Sequence, residues 1–273
     1  MLQVMQVDQM VRLPTFFIPH GGGPCFFMDW HPKGAWDEMA QYLKSFANDI
    51  RDDIKAIIVI SAHWEEDIIK VTGNSNPELI YDYHGFPPHT YDLKWPAKGN
   101  KVLANQISSI LNAGGVACAV DEDRGFDHGV FIPLLLAFPE ANIPTIQVSL
   151  CSTLSPKTHL QIGKLLQPLR DQGVLIIGSG MSYHDVGALM GRKEVIGSDT
   201  FDNWLSNSML MPSAKREAAL LNWAATPSAR LCHPREEHLL PLHVIAGAAT
   251  GGKGMIDFND TVLGATISAY QFQ

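Results

Sequence analysis

The chain has 273 residues, of which 46% are hydrophobic and 18% charged, and its formal net charge is −8. Such a chain can bury a large core and needs no disulfides to stay folded. Lysine and arginine form no cluster that could bind a phosphate backbone, so nucleic acid is not an expected partner. No apolar run approaches the ~20 residues that cross a bilayer, so no membrane-spanning segment is expected.

The cysteines and the N-terminus favour a reducing, cytoplasmic location. The four cysteines are widely spaced, form no CxxC pair and are predicted to be buried and unpaired. They are Cys25, Cys118, Cys151 and Cys232. Residues 1–14 are interrupted by Asp8 and Arg12 before an apolar region develops, which is not the pattern of a secretory signal.

Short apolar runs rich in isoleucine and valine alternate with segments of helical spacing, and the runs are typical of strands buried on both faces. The runs are Pro14–Pro19, Ala56–Ser61, Val116–Val120, Ile143–Leu150 and Val174–Gly178. The helical segments are 35–48, 100–113, 130–138, 156–171, 200–224 and 236–249. This alternation predicts an α/β fold with a mostly parallel central sheet and helices on both faces. Because no repeat, linker or change in composition interrupts it, residues 1–273 are interpreted as a single domain.

Two segments depart from this alternation. Thr261–Phe272 alternates between apolar and polar residues and is interpreted as an antiparallel edge strand. Residues 81–96, YDYHGFPPHTYDLKWP, are rich in aromatics and prolines and have no regular period. They predict a long ordered loop, which is either functional or an aromatic flap that packs on the core.

Three of the 11 histidines come at the ends of predicted strands. His20 follows FFIP and opens a glycine turn, His63 ends IIVISAH, and His184 follows LIIGSG by a few residues. Ligands of open α/β sheets bind outside the carboxyl ends of the strands, so the three imidazoles are expected at one edge of the sheet. A single such histidine is more simply explained as structural, but three of them favour a metal site, and ligands so dispersed favour a catalytic one.

A fourth histidine group, His233-Pro-Arg-Glu-Glu-His238, is interpreted as the start of the last predicted helix. Pro234 suits the first turn of a helix, and Glu236 and Glu237 complement the positive end of its dipole. His238 and His243 are five residues apart and would lie on different faces of that helix, so the HExxH zinc motif is excluded.

The remaining histidines are in weaker contexts. His128 lies in the glycine-flanked turn GFDHG, where it could cap a helix or donate a hydrogen bond to a substrate or to bound oxygen. The others are attributed to structural roles, although His89 and His233 could line a pocket. They are His31, His84, His89, His159, His233 and His243.

The motifs together resemble the class III extradiol ring-cleavage dioxygenases, in particular the branch similar to 4,5-DOPA dioxygenase. In chain order they are HGGGP at 20–24, SAHW at 61–64, YDYHGFPPHTYDLKWPAKG at 81–99, GFDHG at 125–129, GSGMSYHD at 178–185 and HPREEHLLPLH at 233–243. The resemblance covers residues 14–273 and leaves 1–13 as an N-terminal extension. It implies a catalytic α/β domain that cleaves the ring of a catechol with O2.

The resemblance also implies roles for particular histidines. His20, His63 and His238 would hold one divalent metal per chain, Fe(II) for activity. His184 would be the acid/base near the metal or a fourth ligand, and His128 would face the substrate or oxygen. Better-known extradiol enzymes use a glutamate as the third ligand, so Glu237 is the alternative to His238. A site of three histidines is one charge more positive and could also hold Zn(II).

Two other functions remain open at the level of sequence. The same histidines could serve a zinc hydrolase in which His184 or Glu237 activates metal-bound water. The chain could also be a non-catalytic, metal-binding scaffold of the same fold. Neither the particular catechol, nor the bond cleaved, nor the oligomeric state follows from the residues.

Overall fold

A computed structural model describes residues 12–273. Within that range eight strands form one sheet in the order β4-β3-β5-β2-β6-β1-β8-β7. The strands are β1 (Thr15–Pro19), β2 (Ala56–Glu66), β3 (Ile69–Thr72), β4 (Cys118–Asp121), β5 (Thr145–Cys151), β6 (Val174–Gly180), β7 (Gly254–Val262) and β8 (Ala265–Phe272). The pairs β1–β6, β2–β6, β2–β5 and β3–β4 are parallel. The predicted mostly parallel α/β sheet is therefore confirmed.

Helices cover both faces of this sheet, as predicted. They are α1 (Asp37–Ser45), α2 (Lys101–Ala113), α3 (His128–Ala137), α4 (Pro156–Leu166), α5 (Val186–Leu189), α6 (Ser198–Met209), α7 (Ser213–Leu221), α8 (Ala229–Cys232) and α9 (Leu240–Ala248). Adjacent residues of β6 point to opposite faces. A Cβ on Gly178 would meet Ile245 of α9, whereas the Ser179 hydroxyl donates to the carbonyl oxygen of Gly129 in α3. The centre of β6 therefore lies between α9 and α3.

The C-terminal hairpin differs from the prediction. The segment Thr261–Phe272 is antiparallel as expected, but β8 lies between β1 and β7 and is not an edge strand. A turn at Leu263 and Gly264, both with positive φ, separates it from β7. Most residues of β7 are exposed or half-buried, so this edge strand has no continuous apolar run that the sequence could reveal.

Two predicted helices also have different bounds. The segment 200–224 contains two helices, because Pro212 between α6 and α7 is extended and cannot donate a backbone hydrogen bond. The last helix begins at Leu240, with Pro241 and not Pro234 in its first turn. The prediction that His233–His238 starts this helix is therefore wrong, and His238 lies in a non-helical turn before α9.

All four cysteines are buried and free, as predicted. Among residues 12–273, no helix is both long and apolar enough to cross a membrane. Most of the predicted N-terminal extension, residues 1–11, lies outside the described residues, as does most of the stretch interpreted as lacking a secretory signal.

Candidate metal centre

Three neighbouring parallel strands bring histidines to one edge of the sheet. Because β6 lies between β2 and β1, His63 near the end of β2 and His20 directly after β1 flank the end of β6. The backbone N–H of His20 donates to the carbonyl oxygen of Gly180, the last residue of β6 (3.2 Å). The turn after β6 then carries His184 to the same edge.

Ligand atoms within 4.8 Å of one another form two groups among residues 12–273, one of His20, His63 and His128 and one of His184, Glu237 and His238. The rings of His20, His63 and His238, taken from both groups, also lie close together. The centroids of their rings lie 4.8 Å apart for His20 and His63, 4.8 Å for His63 and His238, and 5.2 Å for His20 and His238. Imidazole nitrogens bind zinc at about 2.0–2.1 Å, so two rings that share an ion at about 90–110° have centroids roughly 4.5–5.2 Å apart. The three rings are thus spaced as ligands of one ion would be.

Hydrogen bonds at the far side of two rings fix which nitrogen faces that point. The Ser179 hydroxyl donates to the Gly129 carbonyl, so it accepts a hydrogen bond from Nδ1–H of His20 (3.0 Å). The Glu237 carboxylate accepts one from Nδ1–H of His238 (2.9 Å). Both rings therefore keep an unprotonated Nε2, which is the form that binds a metal.

The Nε2 atoms of His20 and His63 face each other. Nε2 of His20 is 3.1 Å from Nε2 of His63. Nε2 of His238 is buried and has no hydrogen-bond partner among the described residues. A buried polar atom without a partner costs about 1–3 kcal/mol, so this nitrogen needs a partner that a metal ion could provide. The residues present fit a divalent metal.

Burial keeps these three imidazoles neutral. Desolvation lowers the pKa of His20, of His63 and of His238 well below the ordinary value, and neighbouring imidazoles lower the pKa further. Since a histidine must be neutral to bind a metal, all three are ready to do so at neutral pH. The loss of metal with falling pH would reflect direct competition by protons.

Close packing against the end of β6 positions His238. The backbone N–H of Met181 donates to the carbonyl oxygen of His238 (3.0 Å). A Cβ on Gly180 would overlap that carbonyl oxygen, so only glycine permits the turn to approach so closely. The loop after β6 is held on its other side, where the N–H of His184 donates to the Cys232 carbonyl (2.9 Å).

Glu237 lies behind the histidines and is shared by them. Its Oε1 is 2.9 Å from Nδ1 of His238 and 3.3 Å from Nδ1 of His184, while Arg235 is 3.3 Å from its other oxygen. Burial raises the pKa of Glu237, but the hydrogen bond from His184 and the charge of Arg235 lower it more, so the carboxylate stays ionised. Since Glu237 also offers a ligand atom within 4.8 Å of those of His184 and His238, it stays the alternative to His238 as a ligand.

His184 and His128 lie on either side of the three rings. The ring of His184 stacks on that of His238 with centroids 3.2 Å apart, and the ring of His128 lies 3.9 Å from that of His63. Nδ1–H of His128 donates to Asp82 (2.8 Å). Burial raises the pKa of Asp82, but the hydrogen bonds from His128 lower it to about 2. The histidines singled out by their motifs are therefore brought together.

Sequence reasoning anticipated that aromatic residues of 81–96 could pack on a substrate ring, but it missed Asp82, Trp30 and Trp36. A cavity of about 190 Å³ opens onto His20, His63, His128, His184 and His238. Trp30, Trp36 and Phe86 form part of its wall. Asp82 and Phe86 belong to the long loop at 81–96, so that loop is both a packed flap and part of the site. Trp30 and Trp36 follow the glycine turn after His20, which is the only signal that could have found them.

The two histidines predicted as further pocket residues do not line this cavity. His89 is exposed, and its Nε2 faces the carbonyl oxygen of Phe27 (3.0 Å). His233 is fully buried, and its Nε2 faces the carbonyl oxygen of Ser182 (2.9 Å). Both were possible pocket residues only because their neighbours in sequence are functional motifs.

Buried structural histidines should make the metal-free protein sensitive to acid. Burial lowers the pKa of His159 to about 4 and of His233 to about 3. Neutral His159 donates from Nδ1 to the Ser155 carbonyl and accepts the Cys151 N–H at Nε2. Because the pKa of each histidine is lower in the folded state than in the unfolded state, protonation favours unfolding. The contribution of each histidine to the free energy of unfolding is complete above pH ~6.5 and is lost as the pH falls toward 4, by at most about 3 kcal/mol for His159.

Thermal unfolding of chelator-treated protein between pH 7.5 and 4.5 would measure this effect. We expect Tm to fall steadily below pH ~6.5, and His159→Gln to reduce the slope because one buried titrating group is gone. An unchanged slope in that variant would mean that protonation of His159 does not destabilise the fold.

Comparison with known proteins agrees with this geometry. A family model described as the catalytic LigB subunit of aromatic ring-opening dioxygenase matches residues 14–266. A 4,5-DOPA dioxygenase extradiol of Beta vulgaris is 38% identical over 247 residues, which are 86% of each chain. The dioxygenase tasH of Hapsidospora irregularis is 35% identical over 278 residues, 96% of this chain and 86% of that one.

A solved structure supports the fold. The crystal structure of an uncharacterized protein of Escherichia coli K12 aligns with a TM-score of 0.77 and covers 96% of this chain and all of that one, at 24% identity. The family model spans nearly the whole described chain, and both relatives exceed 30% identity over most of their length. The chain therefore belongs to the LigB family of class III extradiol dioxygenases.

Proposed function

We propose that the protein cleaves the ring of a catechol with O2, using one Fe(II) held by His20, His63 and His238. The observation that carries this proposal is the set of three neighbouring neutral imidazoles, two buried and that of His63 half-buried, with Nε2 of His238 left without a partner. The family match supports oxygenase chemistry over hydrolysis by the same residues and over a scaffold role.

A bound Fe(II) would act as a Lewis acid toward the two diol oxygens and supply the redox chemistry that O2 requires. The protein's part is to place the ring and to move protons. His184 lines the cavity beside His238, and its Nδ1 faces the Glu237 carboxylate. Its other ring nitrogen is then the atom that accepts a proton from the diol and later returns it. Glu237 stabilises the imidazolium that forms in between.

His128 has a different task. Because its Nδ1–H donates to the ionised Asp82, its ring is held in one orientation, and Nε2 is the atom left for the cavity. There the neutral ring can accept a hydrogen bond from a substrate hydroxyl, and as an imidazolium it can donate one to a substrate oxygen or to O2. The apolar walls exclude water around this point and so strengthen the hydrogen bond.

Reconstitution with metal tests the proposal directly. Apo-protein loaded with Fe(II) without oxygen should consume O2 when oxygen and a catechol are added, and should form a yellow ring-opened product. The catechols to test are L-DOPA, caffeate, protocatechuate and the uncharged 4-propylcatechol. Protein loaded with Zn(II) is the control, and it should bind catechol without turnover because zinc has no redox chemistry. If Fe(II) is demonstrably bound and no catechol is cleaved, the proposed function is wrong.

Glu237→Gln should weaken metal binding by about 10- to 100-fold, the usual effect of removing a carboxylate behind a ligating histidine. The amide keeps the shape of the side chain but removes the charge that favours the Nδ1–H tautomer of His238. The measurement is a competition titration against a chelator of known affinity. Glu236→Gln is the matched control, since Glu236 pairs with Arg230 (2.7 Å) and does not contact a site histidine in the described structure. Equal affinities of the two variants would contradict the assigned role of Glu237.

A further inference from the structure

The inner cavity offers a substituent no charged partner. Apart from the site histidines, the side chains that line it carry no charge, and their only polar groups are the indole N–H groups of Trp30 and Trp36, of which Nε1 of Trp36 has no partner among the described residues. The backbone of the glycine turn at 21–23 completes the wall. Among the lining side chains are Leu189 and Met190 after β6 and Leu263 at the β7–β8 turn. A catechol ring placed on the histidines therefore directs its substituent along an apolar wall.

An outer chamber of about 820 Å³ continues from this cavity and shares Trp30, Phe86 and Met190 with it. Asp29 and His31 are the only titratable residues that line the outer chamber among residues 12–273. No lysine or arginine of this part of the chain lines either chamber. Residues 1–11, which the structure does not describe, contain no lysine or arginine in their sequence.

Lys33 and Arg192 follow the lining residues Pro32 and Gly191 but line neither chamber. Two other cations near the site are engaged elsewhere. Lys193, which follows α5, pairs with Asp185 (2.5 Å), and Arg235 pairs with Glu65 (2.5 Å). The rim is apolar as well, since Val186 and Met190 of the α5 region are each 50% exposed. Exposed apolar side chains at the rim of a cavity are typical of a surface that binds apolar ligands.

We propose that the site selects catechols with an uncharged, apolar substituent over catechols that carry a carboxylate or an ammonium group. This inference rests on the proposed function, since it places the diol on the metal. A substrate carboxylate along the wall would lose its hydration without forming an ion pair with a lysine or arginine. In the outer chamber it would lie near Asp29, which also carries a negative charge. Burial of an unpaired charge is costly enough that we expect a preference of roughly tenfold or more.

Equilibrium binding to Zn(II)-loaded protein measures this preference without turnover. The probes are 4-propylcatechol and 3-(3,4-dihydroxyphenyl)propionate, compared by calorimetry without oxygen at pH 8, where an ordinary imidazole is neutral. We expect the Kd of 4-propylcatechol to be lower by at least about tenfold. Equal or tighter binding of the propionate, or of 4-(2-aminoethyl)catechol, would overturn the inference.

A charge at the rim should reverse the selection. Met190→Arg places a cation beside both chambers, at a position exposed enough to accept it, and should tighten propionate binding by about tenfold. Met190→Gln is the uncharged control and should leave propionate binding weak. If both variants bind the propionate alike, the wall does not select against charge in the way proposed.

The two proposals fail in different ways. Preferential binding of 4-propylcatechol to the zinc protein, with no cleavage of any catechol by the Fe(II) protein, would overturn the dioxygenase proposal and keep the selectivity. Cleavage of the propionate by the Fe(II) protein as efficiently as 4-propylcatechol would do the reverse. If the zinc protein binds neither catechol and the Fe(II) protein cleaves none, both proposals are overturned.

Discussion

His238→Ala should reduce metal affinity by more than about 100-fold, because the loss of a ligand exceeds the 10- to 100-fold effect of losing the group behind it. His238 is almost fully buried, and its ring completes the triangle formed with the rings of His20 and His63. A competition titration with a chelator would measure the affinity, and oxygen uptake with a catechol would be abolished at ordinary metal concentrations.

His84→Ala is the control for this variant. His84 lies in the exposed part of the 81–96 loop and does not line the cavity, so its removal should leave metal affinity unchanged. The folded state of both variants can be compared by circular dichroism. Retention of tightly bound metal by a folded His238→Ala protein would exclude His238 as a ligand and return Glu237 to consideration.

His184→Ala should keep the metal but lower kcat by about 100- to 10,000-fold, the usual range for removal of a general acid/base. The ring stacks on His238 and faces Glu237, so it is beside the ligands and also reaches the cavity. Steady-state rates of oxygen uptake by iron-loaded protein would give kcat, and metal analysis of the same samples would give occupancy.

A structural role for His184 would give a different result. If the ring only supports His238, the variant should lose metal, and excess Fe(II) should restore the rate. If it transfers protons, saturating Fe(II) should not restore kcat, and the pH profile of kcat should lose one limb. His31→Ala, a change in the outer chamber, should retain kcat and its pH profile.

Periodicity in the sequence predicted most of the sheet because buried parallel strands are continuous apolar runs. The run Val174–Gly178 lies within the observed strand β6, and the run Ile143–Leu150 overlaps the observed strand β5. Two strands that lack a continuous apolar run were not predicted from the sequence. The edge strand β7 is largely exposed, and β3 has only four residues. The segment His233–His238 has helix-start residues, but packing against Gly180 holds it as a turn.

The candidate ligands could also be chosen from the sequence, because His20, His63 and His184 follow strand signals and glycine-rich turns. The order of these motifs then indicated the family, and the comparisons confirmed it. Their metal-binding and catalytic roles stay predictions until a metal is bound and removed. The sequence could not show whether Glu237 or His238 is the third metal ligand, since the two residues are neighbours in one motif.

The amino-acid order by itself determined the fold class, the family and the histidines that meet, since each depends on a local pattern or on a sequence of motifs. Only the tertiary structure decided that Glu237 lies behind His238, that Asp82 holds His128, and that the walls of the cavity carry no lysine or arginine among residues 12–273. These contacts join loops far apart in the chain, and irregular loops take their positions from packing, which leaves no periodic signal in the sequence.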